Sequence, residues 1–180
     1  MDSPDCKYFS ILCLATHLKA KKGAVNDQIR EVQALELRDR TEQMAETLKE
    51  QGWKDVSVLI VGDFNSEPSE ASVRSILSQE EYNDNAKSWK FQSAYPLHEI
   101  GPSPEHYLYT TWKTRKDGNT RRIIDYIFHA SHKAESVQDG EGLCCTHFLS
   151  VPEDGEVEQG RFPGARYPSD HLLIAAKFQY

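Results

Sequence analysis

Apolar residues along this chain come in short runs, and the spacing within each run predicts an element. Phe9–Thr16 (FSILCLAT) is apolar over the length of a strand and leads into Thr16-His17. Asn26 is placed to cap a helix running to about Gln51, with Gly52 as its stop. Within that helix Ala34, Leu37, Thr41, Met44 and Leu48 recur at 3-4-3-4 spacing, which predicts one inward stripe on an otherwise charged, solvated helix. Val56–Val61 is apolar but for Ser57, the pattern of a strand buried on both faces, and it stops at Gly62-Asp63-Phe64-Asn65.

A short helix is expected after Pro68-Ser69, with Val73, Ile76 and Leu77 on its apolar side. Residues 79–106 read as irregular and polar. Ile123–Phe128 predicts another strand with Asp125 inside it, and Gly140–Ser150 contains one more. An acidic, Gly/Pro-rich loop over 151–169 precedes a closing strand, Leu172–Phe178, opened by Asp170-His171. Strands mixed with helices in this order give a layered α/β fold. Because a core strand comes almost at once after Met1, a sheet beginning there would leave one edge and one face uncovered. The expectation is that another segment covers it or that the chain is a fragment.

Composition narrows the class. The chain has 180 residues, 38% apolar and 27% charged, a globular balance sufficient for one core. Its net charge is −7, so a polyanion would have to be met by a local basic patch rather than by the overall field. No apolar run approaches the roughly 20 residues of a membrane span, and the first residues show neither a signal core nor an Arg-rich amphipathic stretch. Cys6, Cys13, Cys144 and Cys145 include no C-x-x-C pair and read as reduced thiols of a cytoplasmic protein.

Polar residues gather where strands end: His17, Asp63 with Asn65, Asp125, and Asp170 with His171. Side chains from separate strands converge at such ends in α/β enzymes. Each alone has an ordinary structural reading, as a turn acid, a helix cap or a strand start. Together they are what phosphoester hydrolysis needs. Carboxylates hold a hard cation or orient water, imidazoles contact phosphoryl oxygens or move protons, and an amide supplies a neutral donor. Lys19, Lys21 and Lys22 cluster beside His17, and Lys113, Arg115, Lys116, Arg121 and Arg122 precede Asp125. His98, His106, His129, His132 and His147 match no motif.

Thr16-His17-Leu18, Gly62-Asp63-Phe64-Asn65, Ile124-Asp125-Tyr126 and Ser169-Asp170-His171-Leu172, in that order, resemble the second half of the endonuclease/exonuclease/phosphatase superfamily domain. The stretches Ala15–Lys21, Tyr109–Arg115 and Tyr167–Leu172 are similar to the nocturnin group of its deadenylase-related branch. The resemblance implies part of a two-sheet α/β sandwich, with residues 1–180 as the carboxy-terminal half of one such domain. It implies a Mg²⁺-dependent hydrolase acting on NADP(H) or on an RNA 3′ end, as in poly(A) shortening. In it Asp63 activates water, Asn65 stabilises the pentacovalent transition state and His17 binds a non-bridging oxygen. His171 contacts the scissile phosphate, Asp125 orients His171, and Asp170 serves the metal. Lys19, Lys21 and Arg115 bind substrate phosphate. The Asn and Glu that hold magnesium in the family's first half have no counterpart here, so the chain alone is expected to be weakly active or inactive. A different class stays open: a non-catalytic half-domain that binds a phosphate ligand or a protein partner.

Overall fold

A computed structural model describes residues 10–53, 55–77, 89–97, 108–115, 118–131, 142–152, 156–157, 162–165 and 167–180. The readings made for Phe9, Cys6, Lys116, His98, His106 and His132 lie outside these residues. The element order is β1 (Ser10–His17), α1 (Ala24–Glu50), β2 (Val56–Asp63), α2 (Ala71–Leu77), β3 (Gln92–Ser93), β4 (Thr111–Arg115), β5 (Gly118–Arg122), β6 (Asp125–Ser131), β7 (Cys144–Phe148) and β8 (Ala176–Gln179).

The central sheet has the order β1-β2-β6-β3, with β1 parallel to β2 and β6 antiparallel to both of its neighbours. A strand with partners on both sides and layers above and below favours apolar residues, which accounts for the run Val56–Val61; its one polar residue, Ser57, is buried with its hydroxyl 3.2 Å from Ser131 Oγ. One face presents Val58, Ile60 and Phe128, fully buried, to α1 and α2 together with Phe64, Val73 and Ile76. The other face presents Ile127, beside Ala94 and Tyr95, to Cys145, Ala176 and Phe178 of the antiparallel β7–β8 pair. The result is a layered α/β architecture, as expected. Among the described residues β1 pairs on one side only, and its outward residue Ile11 is 46% exposed.

Several sequence expectations shift in detail. Helix α1 starts at Ala24 behind Gly23, and Asn26 sits inside the first turn, donating its amide to the Lys22 carbonyl rather than capping. Its end does follow the glycine: the Gly52 and Trp53 N–H groups reach back to the carbonyls of Lys49 and Leu48, a Schellman closure with Gly52 at φ +90°. The buried face is Arg30, Ala34, Thr41, Glu42 and Ala45, while Met44 is 48% exposed. Small residues let the helix lie close to the sheet, and the longer Met44 turns out to solvent. The helix charges are not all solvated either, since Arg30 is only 2% exposed.

Asp125 is the first residue of β6 rather than an interior one, because Ile123 and Ile124 come before the ladder begins. The last strand starts at Ala176, not Leu172. The segment 170–172 runs instead along β4, where the Trp112 N–H donates to the Asp170 carbonyl (3.1 Å), the Leu172 N–H donates to the Thr110 carbonyl (2.8 Å), and Thr111 bridges His171. The region read as polar and irregular contributes buried Trp89, Phe91, Ala94 and Tyr95 to the core. The β4–β5 hairpin was not anticipated; the Arg121 guanidinium lies 3.6 Å over the Trp112 ring across it. Cys13, Cys144 and Cys145 are free thiols. No described helix is long and apolar enough to cross a membrane.

Candidate active site

The ladders of the central sheet assemble the site. The β1–β2 register places His17 opposite Asp63, and the β2–β6 register places Asp63 opposite Asp125. Residues so paired share a face, so the three side chains form a row across the end of the sheet. His17 Nε2 is 3.5 Å from Asp63 Oδ2, with its side chain 69% exposed. The row depends on Gly62. A Cβ there would lie 1.9 Å from the Thr16 carbonyl oxygen, so the strands come this close only because the residue before Asp63 has no side chain.

After Asp63 the chain makes a tight turn. Asp63 Oδ1 accepts the Asn65 N–H at 2.7 Å, Asn65 adopts φ +50°, and its Nδ2 donates to the Leu18 carbonyl at 3.1 Å. Asparagine tolerates that left-handed backbone and clamps the turn to the loop leaving β1. One amide hydrogen of Asn65 is therefore committed to structure.

His171 enters from the segment laid along β4. Its Nδ1 is 3.1 Å from both oxygens of Asp125, and its Nε2 is 4.0 Å from Asp63 Oδ2. The carboxylate–imidazole contact expected from the sequence is thus present, with the other ring nitrogen turned toward Asp63. Asp170 does not join this group; its Oδ2 accepts from Lys113 Nζ at 2.9 Å, and the same Nζ is 3.5 Å from His171 Nε2.

The electrostatics separate the three acidic and basic roles. Burial pushes the Asp63 carboxyl above its ordinary range, and Asp125 adds to that; the Asn65 N–H and the two histidines oppose it. The hydrogen bond that His171 donates to Asp125 raises the imidazole against the effect of burial. For Asp170 burial acts upward, but the bond and charge of Lys113 outweigh it and hold the carboxyl low.

Donor atoms of Asp63, Asp125 and His171 all lie within 4.8 Å of one another. Two carboxylates and an imidazole are a reasonable partial set for a divalent cation, the oxygens suiting a hard one.

Lys19 and Lys21 stand exposed on the loop that leaves His17. Buried Arg30 pins that loop, donating to the carbonyls of Lys19 (3.1 Å) and Lys21 (2.8 Å) and, through Nε, to Ser66 Oγ (2.8 Å). It also pairs with Asp27 and Glu70. Of Arg115 the backbone is placed, opposite Gly118 at the end of the hairpin. Sequence reasoning gave no role to Arg30, Thr110 or Gly62, and read Lys113 only as one of the basic cluster before Asp125. Arg30 carried a readable signal, since it precedes Ala34, Leu37 and Thr41 by 4, 7 and 11 residues and so lies on the inward stripe.

Comparison with known proteins places the chain in a family. Nocturnin of Rattus norvegicus is 30% identical over 170 residues, 93% of this chain and 33% of that protein. Nocturnin of Xenopus laevis is 31% identical over 177 residues, 97% of this chain and 39% of that protein. The chain thus spans between a third and two fifths of the length of these relatives. The fold matches the human Nocturnin catalytic domain with bound sulfate anion (TM-score 0.57, 23% identity, 92% of this chain, 45% of that one). It also matches ANGEL2, a 2′,3′-cyclic phosphatase, in complex with adenosine-2′,3′-vanadate (TM-score 0.61, 18% identity, 93% of this chain, 56% of that one). Residues 10–171 match the family model itself, and the chain belongs to the Endonuclease/Exonuclease/phosphatase family.

Proposed function

We propose that this chain supplies the water-activating and phosphate-contacting side of a Mg²⁺-assisted phosphoester hydrolase. The substrate class is an adenine-nucleotide phosphoester, either the 2′-phosphate of NADP(H) or the 3′ end of an RNA. The observation that carries the reading is the group Asp63–His171–Asp125, two acids and an imidazole within reach of a single phosphorus centre. The adenosine-vanadate complex of ANGEL2 and the sulfate on human Nocturnin support the substrate class.

In this reading Asp63 takes a proton from the attacking water, whose oxygen forms the new bond to phosphorus while the ester P–O bond breaks. The leaving oxygen is protonated from solvent. Burial makes Asp63 a better base than an exposed aspartate. His171, protonated and held at Nδ1 by Asp125, donates from Nε2 to a phosphoryl oxygen. His17, at the open end of the row, contacts a second one. Asn65 offers its remaining amide hydrogen to the pentacovalent state. Lys19, Lys21 and Arg115 receive the substrate's further phosphate. A bound cation would polarise the phosphoryl oxygen. Asp63 and Asp125 offer it oxygens, with Asp170 adjacent on Lys113. Magnesium takes about six oxygen ligands, so these carboxylates are a partial set. The rest are proposed to come from the portion of the family domain beyond these residues.

The test follows phosphate release from NADPH and shortening of a poly(A) oligomer, each with Mg²⁺ and with EDTA. The 180-residue chain should show negligible turnover. The same chain joined to the remainder of a family domain should show metal-dependent turnover, lost in Asp63→Ala and in His171→Ala. Absence of turnover in both forms would instead support a phosphate- or protein-binding half-domain.

A further inference from the structure

Asp125 and His171 come from distant parts of the chain, and neither lies beside the other in a ladder. Something must set the 3.1 Å between them. The residue bonded to both sides is Thr110, which is 1% exposed. Its Oγ1 accepts the Ile124 N–H at 3.0 Å and the Asp125 N–H at 3.1 Å. Its own N–H donates to the Arg122 carbonyl at 2.9 Å, and its carbonyl accepts the Leu172 N–H at 2.8 Å. The next residue, Thr111, bridges His171. The Ile124 carbonyl in turn accepts the Phe64 N–H at 2.7 Å, which ties the same point to the Asp63 turn.

We propose that Thr110 is the positioning residue of the site, its hydroxyl fixing the start of β6 and its backbone fixing the histidine segment, so that Asp125 and His171 meet. The proposal rests on the hydrolase reading for its purpose but on geometry for its substance. A hydroxyl oxygen has two lone pairs and one hydrogen. Here the lone pairs take two amides, one just before the ladder and one that opens it. The hydrogen points to the Arg122 carbonyl, a longer contact of 3.5 Å. A methyl group of the same size would leave two amides unpaired beneath the surface. They would regain partners only by moving, and Asp125 would move with them. The shape of the residue is incidental in this account, and the oxygen is not.

That distinction gives the experiment. Thr110→Val keeps the shape and removes the oxygen, whereas Thr110→Ser keeps the oxygen and removes a methyl. In the 180-residue chain, the proton on His171 Nδ1, bonded to a carboxylate, should give a slowly exchanging downfield ¹H NMR resonance, identified by its loss in His171→Gln. Thr110→Ser should retain that resonance, and Thr110→Val should lose it while circular dichroism stays that of the parent. A folded Thr110→Val that keeps the resonance overturns the proposal, as does a Thr110→Ser that loses it. Should Thr110→Val fail to fold, hydrogen exchange of the unaltered chain decides. The Ile124 and Asp125 amides should then exchange as slowly as ladder amides of β6, and fast exchange overturns the proposal. None of these readings needs turnover. If the hydrolase reading fails, no form hydrolyses anything while the resonance still depends on the Thr110 oxygen. If only this proposal fails, the joined domain hydrolyses while the resonance ignores Thr110.

Discussion

Strand β6 carries two different regions on one face. At its beginning Asp125 meets His171 and Asp63, all polar and partly open to solvent. Four residues later, on the same face, His129 is 6% exposed, donates from Nδ1 to the Leu143 carbonyl at 3.2 Å and packs its ring against Phe178. Burial lowers His129, whereas a carboxylate raises His171. The comparison shows two histidines on one face driven in opposite directions, one by burial and the other by the carboxylate that faces its Nδ1. Cavity size does not mark the site. An open groove of about 490 Å³ lies at the His129 end, lined by Cys144, Cys145, His147 and Phe148 among others, and among the described residues no carboxylate lines it.

The hardest way to break the comparison is through the backbone that aligns the acid row. Gly62→Ala drives a Cβ into the Thr16 carbonyl, at a residue with φ +144°. Separation of β1 from β2 at this point should cost roughly 4 kcal/mol or more, or prevent folding, as read from urea unfolding. Gly118→Ala, also at positive φ but with nothing within 4 Å, should cost far less.

Next come the reacting groups. In the joined domain, Asp63→Ala and His171→Ala should each lower kcat/KM by about 10²–10⁴, the usual weight of a positioned acid or base. His129→Gln, at the other end of the face, should stay within about tenfold of the parent. A loss at His129 equal to that at His171 would erase the distinction between the two ends.

The sequence displayed the reacting groups more clearly than their supports. His17, Asp63, Asn65, Asp125 and His171 were visible because polar residues stand out at the ends of apolar runs, and the structure brings them together. Their role assignments are proposals, and Asp170 is placed on Lys113 rather than within the cation-compatible group. The layered α/β class was legible from the alternation of runs. Supports were hidden for a physical reason: a threonine in Thr110-Thr111 or an arginine on a charged helix looks like surface until the partner is known. Trp89 and Phe91 were hidden similarly, since a polar neighbourhood masks isolated aromatics that the core takes in. The path of Asp170-His171 along β4 depends on backbone bonds to Thr110 and Trp112, which no local pattern announces.

A smaller effect should follow from loosening the basic loop while leaving the reacting groups intact. Arg30→Met removes donors from the carbonyls of Lys19 and Lys21 and from Ser66 Oγ. Asp27 and Glu70 are partly exposed and recover water, so the loss should be about 1–3 kcal/mol of stability. In the joined domain KM should rise more than kcat falls if, as proposed, the lysine loop binds substrate phosphate and does not react. A fall in kcat alone would mean that Arg30 supports Asp63 and Asn65 rather than the lysines.

The mildest effect is in pH and tests the two histidines directly against each other. His129 is lowered by burial below its ordinary value of 6.5, with the Leu143 bond acting the other way. Its folded form therefore resists a proton that the unfolded chain accepts. Its contribution to stability is complete above the unfolded value and is lost as pH falls through and below it. His171 is raised, chiefly by Asp125, so its folded form holds a proton that the unfolded chain releases. That contribution is complete below the unfolded value and is lost as pH rises through the folded one. Urea midpoints of the 180-residue chain in EDTA, measured from about pH 5 to about pH 8, carry both slopes. His129→Phe should flatten the decline on the acid side and leave the alkaline side unchanged. Asp125→Asn should flatten the alkaline side and leave the acid side to His129. If His129→Phe changed the alkaline slope instead, the dry end of the face would be holding a charged imidazole, and the contrast between the two ends would fail.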